Sequence, residues 1–222
     1  MNQQIAFIHT SPSMIPVFKP LAAELLPEGV NVFNMVDESL LCDIIREKGC
    51  PPATARRLVS HVIAADGAGA QHILVTCSSM GRAVEAARTL VKAKVLRVDE
   101  PMAEKAVSMA KRIGVIATLQ STLEPTVALI HERARAMGKQ IVVDPVVVEG
   151  AFEAVISGDG TTHDALVGKA LKELSRGHDV IVLAQASMAR VVDALAAQDK
   201  PVPILSSPRL AVEHLATLLR RA

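Results

Sequence analysis

A cysteine at the end of a β-branched run and directly ahead of a helix is placed for acid–base or nucleophilic chemistry. The segment Ile73-Leu-Val-Thr-Cys77-Ser78-Ser79-Met80-Gly81 has that form. Unpaired backbone N–H groups and the positive end of the helix dipole lower a thiol pKa there and stabilise the thiolate. The same N–H groups, with the hydroxyls of Ser78 and Ser79, would hold a substrate carboxylate. The alternative for such a thiol is a small buried apolar side chain; the strand-end position and the two hydroxyls favour chemistry. Cys42 and Cys50, on or beside a helix among apolar neighbours, read as packing residues. Ser11 and Ser13 after the first strand, and Thr118 and Ser121 after a later one, offer hydroxyls for a second carboxylate or an enediolate-like intermediate. Each serves equally as a helix N-cap. Arg82 and Arg190, three residues into their helices, read as solvated or paired cations.

The elements that must position these residues are legible from composition and periodicity. The 222 residues are 50% hydrophobic and 21% charged, with a net charge of +1, which describes a globular chain of one large or two small domains. No field of one sign is available to hold a nucleic-acid backbone or an anionic membrane. Trp and Tyr are absent and Phe numbers four, which leaves little for bases to stack on. The expectation is no nucleic-acid and no membrane partner. The start, Met1-Asn2-Gln3-Gln4-Ile5, lacks the basic and apolar regions of a signal peptide, so a cytoplasmic location is expected. Three cysteines fit neither a disulfide framework nor a paired CxxC, and the histidines show no metal-ligating spacing. Gly67-Ala-Gly69 and Gly158-Asp-Gly160 lack the strand–GxGxxG–helix context of a nucleotide loop. No metal and no cofactor are expected; residues 158–162 read as a flexible turn with a Thr cap.

Short β-branched runs alternate with helical patterns, which argues for parallel sheets with crossover helices. Strands are expected at 4–9, 30–36, 72–77, 94–98, 112–117, 140–145, 179–184 and 202–206. Helices are expected at 14–26, 38–47, 52–67, 79–91, 101–111, 121–138, 150–157, 162–176, 187–198 and 208–220, with Ser78 or Ser79 as a cap. A self-comparison adds a repeat: Ile5, Ile8, Thr10 and Ser13 recur 108 residues later as Ile113, Ile116, Thr118 and Ser121. The same displacement carries Ile73, Ser79, Met80 and Arg82 onto Ile181, Ser187, Met188 and Arg190, and a shift of 107 relates Val95…Pro101 to Val202…Pro208. The expected fold is therefore α/β: two similar lobes with parallel sheets, related by a pseudo-twofold axis, with an active-site cleft between them. The lobes would be 1–98 plus 208–222, and 99–207, with the C-terminus packing back on the first. Ligands sit at the carboxyl ends of parallel strands, which selects the loops 9–13, 77–81, 117–121 and 185–188.

The strand ending in Thr76-Cys77-Ser78-Ser79, the mid-chain Ile113-Gly-Val-Ile-Ala-Thr118 and the late Val180-Ile-Val-Leu-Ala-Gln185 together resemble the aspartate/glutamate/hydantoin racemase superfamily, which includes arylmalonate decarboxylase and maleate isomerase. The resemblance spans essentially the whole chain. It implies a cofactor-independent enzyme acting at the acidic carbon next to a carboxyl or carbonyl group, where two cysteines, one per half, remove and supply the proton. Here Cys77 takes the first thiol position, while the repeat puts Gln185, with Ala186 beside it, at the second; no cysteine follows residue 77. Glutamine cannot shuttle a proton. The resemblance also places His9 as a second proton-transfer group or a hydrogen bond to a carboxylate, the alternative being a histidine with its ring nitrogens satisfied at a strand end. The expected function is a racemase or isomerase with one catalytic cysteine acting on a small carboxylate. A single-cysteine decarboxylase of malonate-type acids and a non-catalytic binding or regulatory protein are the alternatives. Gln185, Ala186 and Ser187 would orient the substrate, and a homodimer or higher homo-oligomer is expected.

Overall fold

The computed structural model describes residues 3–221, and the chain divides into two compact units. One takes the chain up to Glu100 and again from Pro208; the other is Pro101–Ser207. In the first unit, strands β1 (Gln3–His9), β2 (Val30–Val36), β3 (His72–Val75) and β4 (Lys94–Arg97) form a parallel sheet in the order β2-β1-β3-β4. In the second, β5 (Arg112–Ala117), β6 (Val142–Val147), β7 (Val180–Leu183) and β8 (Ile204–Ser206) repeat it as β6-β5-β7-β8. This is the α/β architecture that the alternating runs require.

Period-two alternation explains the layers of the first unit. Ala6, Ile8, Ile73, Val75 and Val95 project to one face, against α2 (Glu38–Arg46), α3 (Pro52–Gly67) and α4 (Gly81–Ala87). Ile5, Phe7, Leu74 and Leu96 project to the other, against α1 (Ile15–Leu25) and α10 (Ser207–Leu219), which returns to this unit through Ala211, Val212, Leu215 and Leu219. The second unit holds α5 (Glu100–Met109) from Pro101 onward, α6 (Gln120–Ala136), α7 (Ala151–Ile156), α8 (Gly160–Leu174) and α9 (Ala189–Ala194). There Ile116, Ile181 and Leu183 pack with Ala151, Val167, Leu171, Met188 and Val191, while α6 lies along β5 and β6.

The register carries the repeat more tightly than the sequence does. Ile5 pairs with His72 and Ile8 with Val75; 108 residues later Ile113 pairs with Val180 and Ile116 with Leu183. Five loop hydrogen bonds recur at the same displacement, and three of them shape the loops at the carboxyl ends of the strands. These three are Thr76 N to Ile8 O and Ala184 N to Ile116 O, Met80 N to Cys77 O and Met188 N to Gln185 O, and Met14 N to Ser11 O and Thr122 N to Leu119 O.

The last strands depart from the expected register. Ile73 pairs with Val95 and Ile181 with Ile204, so the counterpart of Val95 is Ile204, and Val202 precedes the strand. The shift of 107 holds for the helices alone, α5 starting at Glu100 and α10 at Ser207. The cause is a two-residue turn, Val98-Asp99, between β4 and α5 that has no equivalent between β8 and α10. Two expected helices are also shorter: 79–91 is a 3-10 turn (Ser78–Met80) followed by α4, and 187–198 is a 3-10 turn (Ala186–Met188) followed by α9, which ends where Leu195 turns extended. The expected flexible turn at 158–162 already contains the start of α8, capped by the Asp159 carboxylate accepting from Thr162 N rather than by a Thr. Among the described residues no helix is long and apolar enough to cross a membrane.

Candidate active site

The candidate residues gather at the carboxyl ends of the strands, in two sets, one per unit. In the first unit β3 ends at Val75, Thr76 N still bonds Ile8 O, and the chain turns at Cys77 because Met80 N reaches back to Cys77 O. Cys77 is the N-cap of the 3-10 turn, without a side-chain cap bond. Ser78 and Ser79 lie buried in that turn, so neither caps α4, contrary to expectation; its N-cap is Met80. The Cys77 thiol meets the Thr10 side chain, the Ser79 side chain and the backbone N–H groups of Ser79 and Met80.

These contacts are of the expected kind, but the balance is reversed. The hydrogen bonds favour the thiolate; burial opposes it more strongly and pushes the thiol above its ordinary value of 9.0. The sequence expectation of a lowered thiol pKa is thereby corrected. The physical reason is local: the helix behind the turn is only seven residues long, and a few N–H groups do not offset removal of the sulfur from water. Cys50, against the same core and bonded through its thiol to Met80 Sδ at 3.8 Å, is raised as well, by burial and by the neighbouring Cys77.

His9 ends β1 and is wholly buried. Its Nε2 lies 2.9 Å from Asn34 Oδ1 and its Nδ1 2.8 Å from Thr76 Oγ1. The Thr76 hydroxyl donates its proton to Ile8 O at 3.2 Å, so toward His9 it offers an acceptor oxygen, and both ring nitrogens have a hydrogen-bond partner. Burial lowers its pKa below 6.5 and keeps it neutral. Both ring nitrogens are engaged, so the ring as placed has no nitrogen left for a substrate proton. Its position instead braces Thr76, the residue before the thiol. This is the placement of a histidine with its ring nitrogens satisfied at a strand end; the partners come from β2 and β3 and cannot be read from the loop.

In the second unit the matching turn holds Gln185 where Cys77 stands. Gln185 Oε1 accepts the Thr118 backbone N–H at 2.5 Å, and its Nε2 donates to Thr118 Oγ1 at 2.9 Å. Thr118 is the repeat of Thr10, so the thiol–Thr pair of one unit is an amide–Thr pair in the other. The amide of Gln185 is thus turned onto the adjacent loop of its own unit, after β5. Ala186 is half-buried beside it, Ser187 is exposed, and Ser121 lies in the first turn of α6. Ser11 caps the turn Pro12–Met14, with Ser13 N at 3.4 Å and Ser13 Oγ at 2.8 Å. It therefore does the capping that was the alternative for each hydroxyl. Arg190 pairs with Asp164 at 2.7 Å. Among the described residues no group of three or more His, Cys, Asp or Glu is placed to hold a metal ion.

Sequence reasoning missed Thr10, Asn34, Thr76 and the charged trio Glu85, Arg97 and Asp99. Arg97 is 5% exposed in its side chain, bonded through Nε to Asp99 Oδ1 at 3.0 Å and through Nη2 to Asp99 Oδ2 at 2.9 Å, and through Nη1 to Glu85. The available signal was a charged residue ending an otherwise apolar strand, Lys94-Val-Leu-Arg97, followed two residues on by an acid.

Comparison with known proteins follows the same lines. Solved structures with this fold include an allantoin racemase from Klebsiella pneumoniae (TM-score 0.70, 19% identity, covering 99% of this chain and 88% of that one). A glutamate racemase from Francisella tularensis in complex with D-glutamate matches with a TM-score of 0.73 at 14% identity, covering 99% of this chain and 81% of the other. The aspartate racemase of Picrophilus torridus gives 0.71 at 14%, covering 97% and 94%. No curated protein matches the sequence. The family profile described as Asp/Glu/Hydantoin racemase matches residues 7–215. With nearly the whole chain inside that match, the protein belongs to the Asp/Glu/Hydantoin racemase family.

Proposed function

We propose that the protein is a racemase- or isomerase-type enzyme in which Cys77 is the only thiol acid/base, acting without a cofactor at the carbon next to a carboxylate or carbonyl of a small acid. The observation that carries this reading is the Cys77 turn: a thiol at a strand end, bonded by Thr10, facing the N–H groups of Ser79 and Met80, in a chain of this family. Family membership supports racemase-type chemistry, and the structurally similar allantoin, glutamate and aspartate racemases set the first compounds to try.

A one-thiol centre works from the protonated side. Burial keeps the Cys77 sulfur protonated at neutral pH, which suits it to deliver a proton to an α-carbanion or enediolate; the resulting thiolate is held by the two N–H groups until it recovers a proton. Removing a proton requires the thiolate first and is favoured at higher pH. Racemisation needs a second proton source, and the repeat-related Gln185 has none. The raised thiol pKa favours one further reading, decarboxylation of a malonate-type acid: CO2 leaves, the electron pair stays on the α-carbon, and the Cys77 proton quenches it.

Incubation with allantoin, hydantoins, aspartate, glutamate and aryl- or alkylmalonates in deuterated water tests both readings. Deuterium at the α-carbon that disappears in Cys77→Ser is expected; uptake indifferent to that substitution overturns the assignment. A ligand that raises the melting temperature with no turnover of any of these would favour a binding protein instead.

A further inference from the structure

We propose that Arg97 is the positioning residue of the thiol turn: its guanidinium, clamped by Asp99 and Glu85, seats against Gly81 and holds the Ser79 and Met80 amides at Cys77. This rests on the reading of Cys77 as the acid/base. Gly81 closes the 3-10 turn, its N–H bonding Ser78 O, and it opens α4. Its φ of −51° is ordinary helical backbone, so conformation does not call for glycine there. Space does. A Cβ on residue 81 would stand 2.3 Å from Arg97 Cζ, 2.4 Å from Nη2 and 2.7 Å from Nη1. The guanidinium therefore occupies the volume a side chain would need, directly against the backbone that carries the two amides.

The second unit supplies the control. Val75 pairs with Arg97 and Leu183 with Ser206, so Ser206 stands where Arg97 does. The repeat of Gly81 is Ala189, and the turn that supplies Asp99 is missing. The same strand order and the same 3-10 turn form there without glycine, arginine or aspartate. The three occur together in the unit that holds the thiol and are absent together from the one that does not, so the fold does not need them. An Arg with five fixed donors, locked by a bidentate carboxylate, is a rigid spacer rather than a mobile charge.

Three variants of the full chain test this, followed by melting and by the pH dependence of iodoacetamide labelling at the Cys77 peptide, read by mass spectrometry. Gly81→Ala alone is expected to lower the melting temperature, because its methyl collides with the guanidinium. Adding Arg97→Ser, the second unit's residue, and Asp99→Asn, which removes the charge left without its partner, is expected to recover most of that loss while moving the labelling midpoint of Cys77 by about half a pH unit or more. Leu215→Ala, a core truncation in α10, is expected to lower the melting temperature and leave the midpoint in place. A triple variant that folds with an unchanged midpoint, or fails to recover stability over Gly81→Ala, overturns the proposal. So does a midpoint moved equally by Leu215→Ala. Labelling needs no substrate, so a shifted midpoint in a protein that exchanges no substrate proton would leave the clamp standing and remove the catalytic reading alone.

Discussion

The two units share a strand order, a register and five loop hydrogen bonds, yet what lies beneath their matching turns differs in kind. Under the Cys77 turn stand His9, Asn34 and Thr76 on one flank and Arg97 and Asp99 on the other. Registered against them in the second unit are Ala117, Pro145, Ala184 and Ser206, with nothing for Asp99. A buried polar group costs about 1–3 kcal/mol unless partnered, so a network of this size is retained for what it orients. The thiol unit spends stability on geometry; the amide unit joins its two matching loops with the Gln185–Thr118 pair.

The largest effect should separate the two turns functionally. Cys77→Ser is expected to cut α-carbon exchange by about 10^2 to 10^4-fold, whereas Gln185→Ala, measured with the same substrate, should change it by less than about tenfold, since a loop hydrogen bond and not a proton is lost. Equal losses would break the asymmetry. Next in size is the charged pair. Asp99→Ala leaves the buried Arg97 guanidinium without its bidentate carboxylate, and is expected to cost about 3–5 kcal/mol in denaturant unfolding. Ser206→Ala, its neutral registry mate, is expected to cost less than about 0.5 kcal/mol.

His9→Ala removes a wholly buried ring with its two hydrogen bonds and should cost about 1–3 kcal/mol in the same unfolding measurement. It should also slow exchange by loosening the residue before the thiol, which a proton-transfer His9 would do only in a pH-dependent way.

The smallest effect is on the pH dependence of stability. The pKa of His9 is lowered from 6.5 in the fold, so its contribution is present above that value and is lost as pH falls through the folded pKa, when the unfolded chain takes up a proton that the folded one refuses. The pKa of Cys77 is raised from 9.0, so its contribution is present below that value and is lost as pH rises above it. Melting temperatures across pH 5–10 should therefore fall at both ends, the acid slope flattening in His9→Gln and the alkaline one in Cys77→Ser.

Much of this was legible in the residues. Eight strands and ten helices follow from periodicity because apolar alternation reports burial directly, and Ile5, Ile8 and Ile73 carry the repeat because matched core positions keep matched volumes. The shift of 107 between Val95 and Val202 misled because two residues of turn were gained between β4 and α5, and an ungapped comparison fits the helices or the strands, not both. Thr10 recurs visibly as Thr118, yet its bond to the thiol depends on which way two loops fold over a strand end. Ser11 read equally as a substrate hydroxyl or a cap, and it caps the turn Pro12–Met14; capping is local and so was among the readings the loop offered.

The chain by itself determined the α/β class, the duplicated order of elements, Cys77 as the thiol at a strand end and Gln185 as its untitratable counterpart, because these depend on residue type and spacing. Only the tertiary structure decided the sign of the Cys77 shift, the closing of His9 between Asn34 and Thr76, and the seat of Arg97 on Gly81. Burial, the partner of a ring nitrogen and the space beside a glycine are sums over neighbours far away in sequence, and no local pattern contains them.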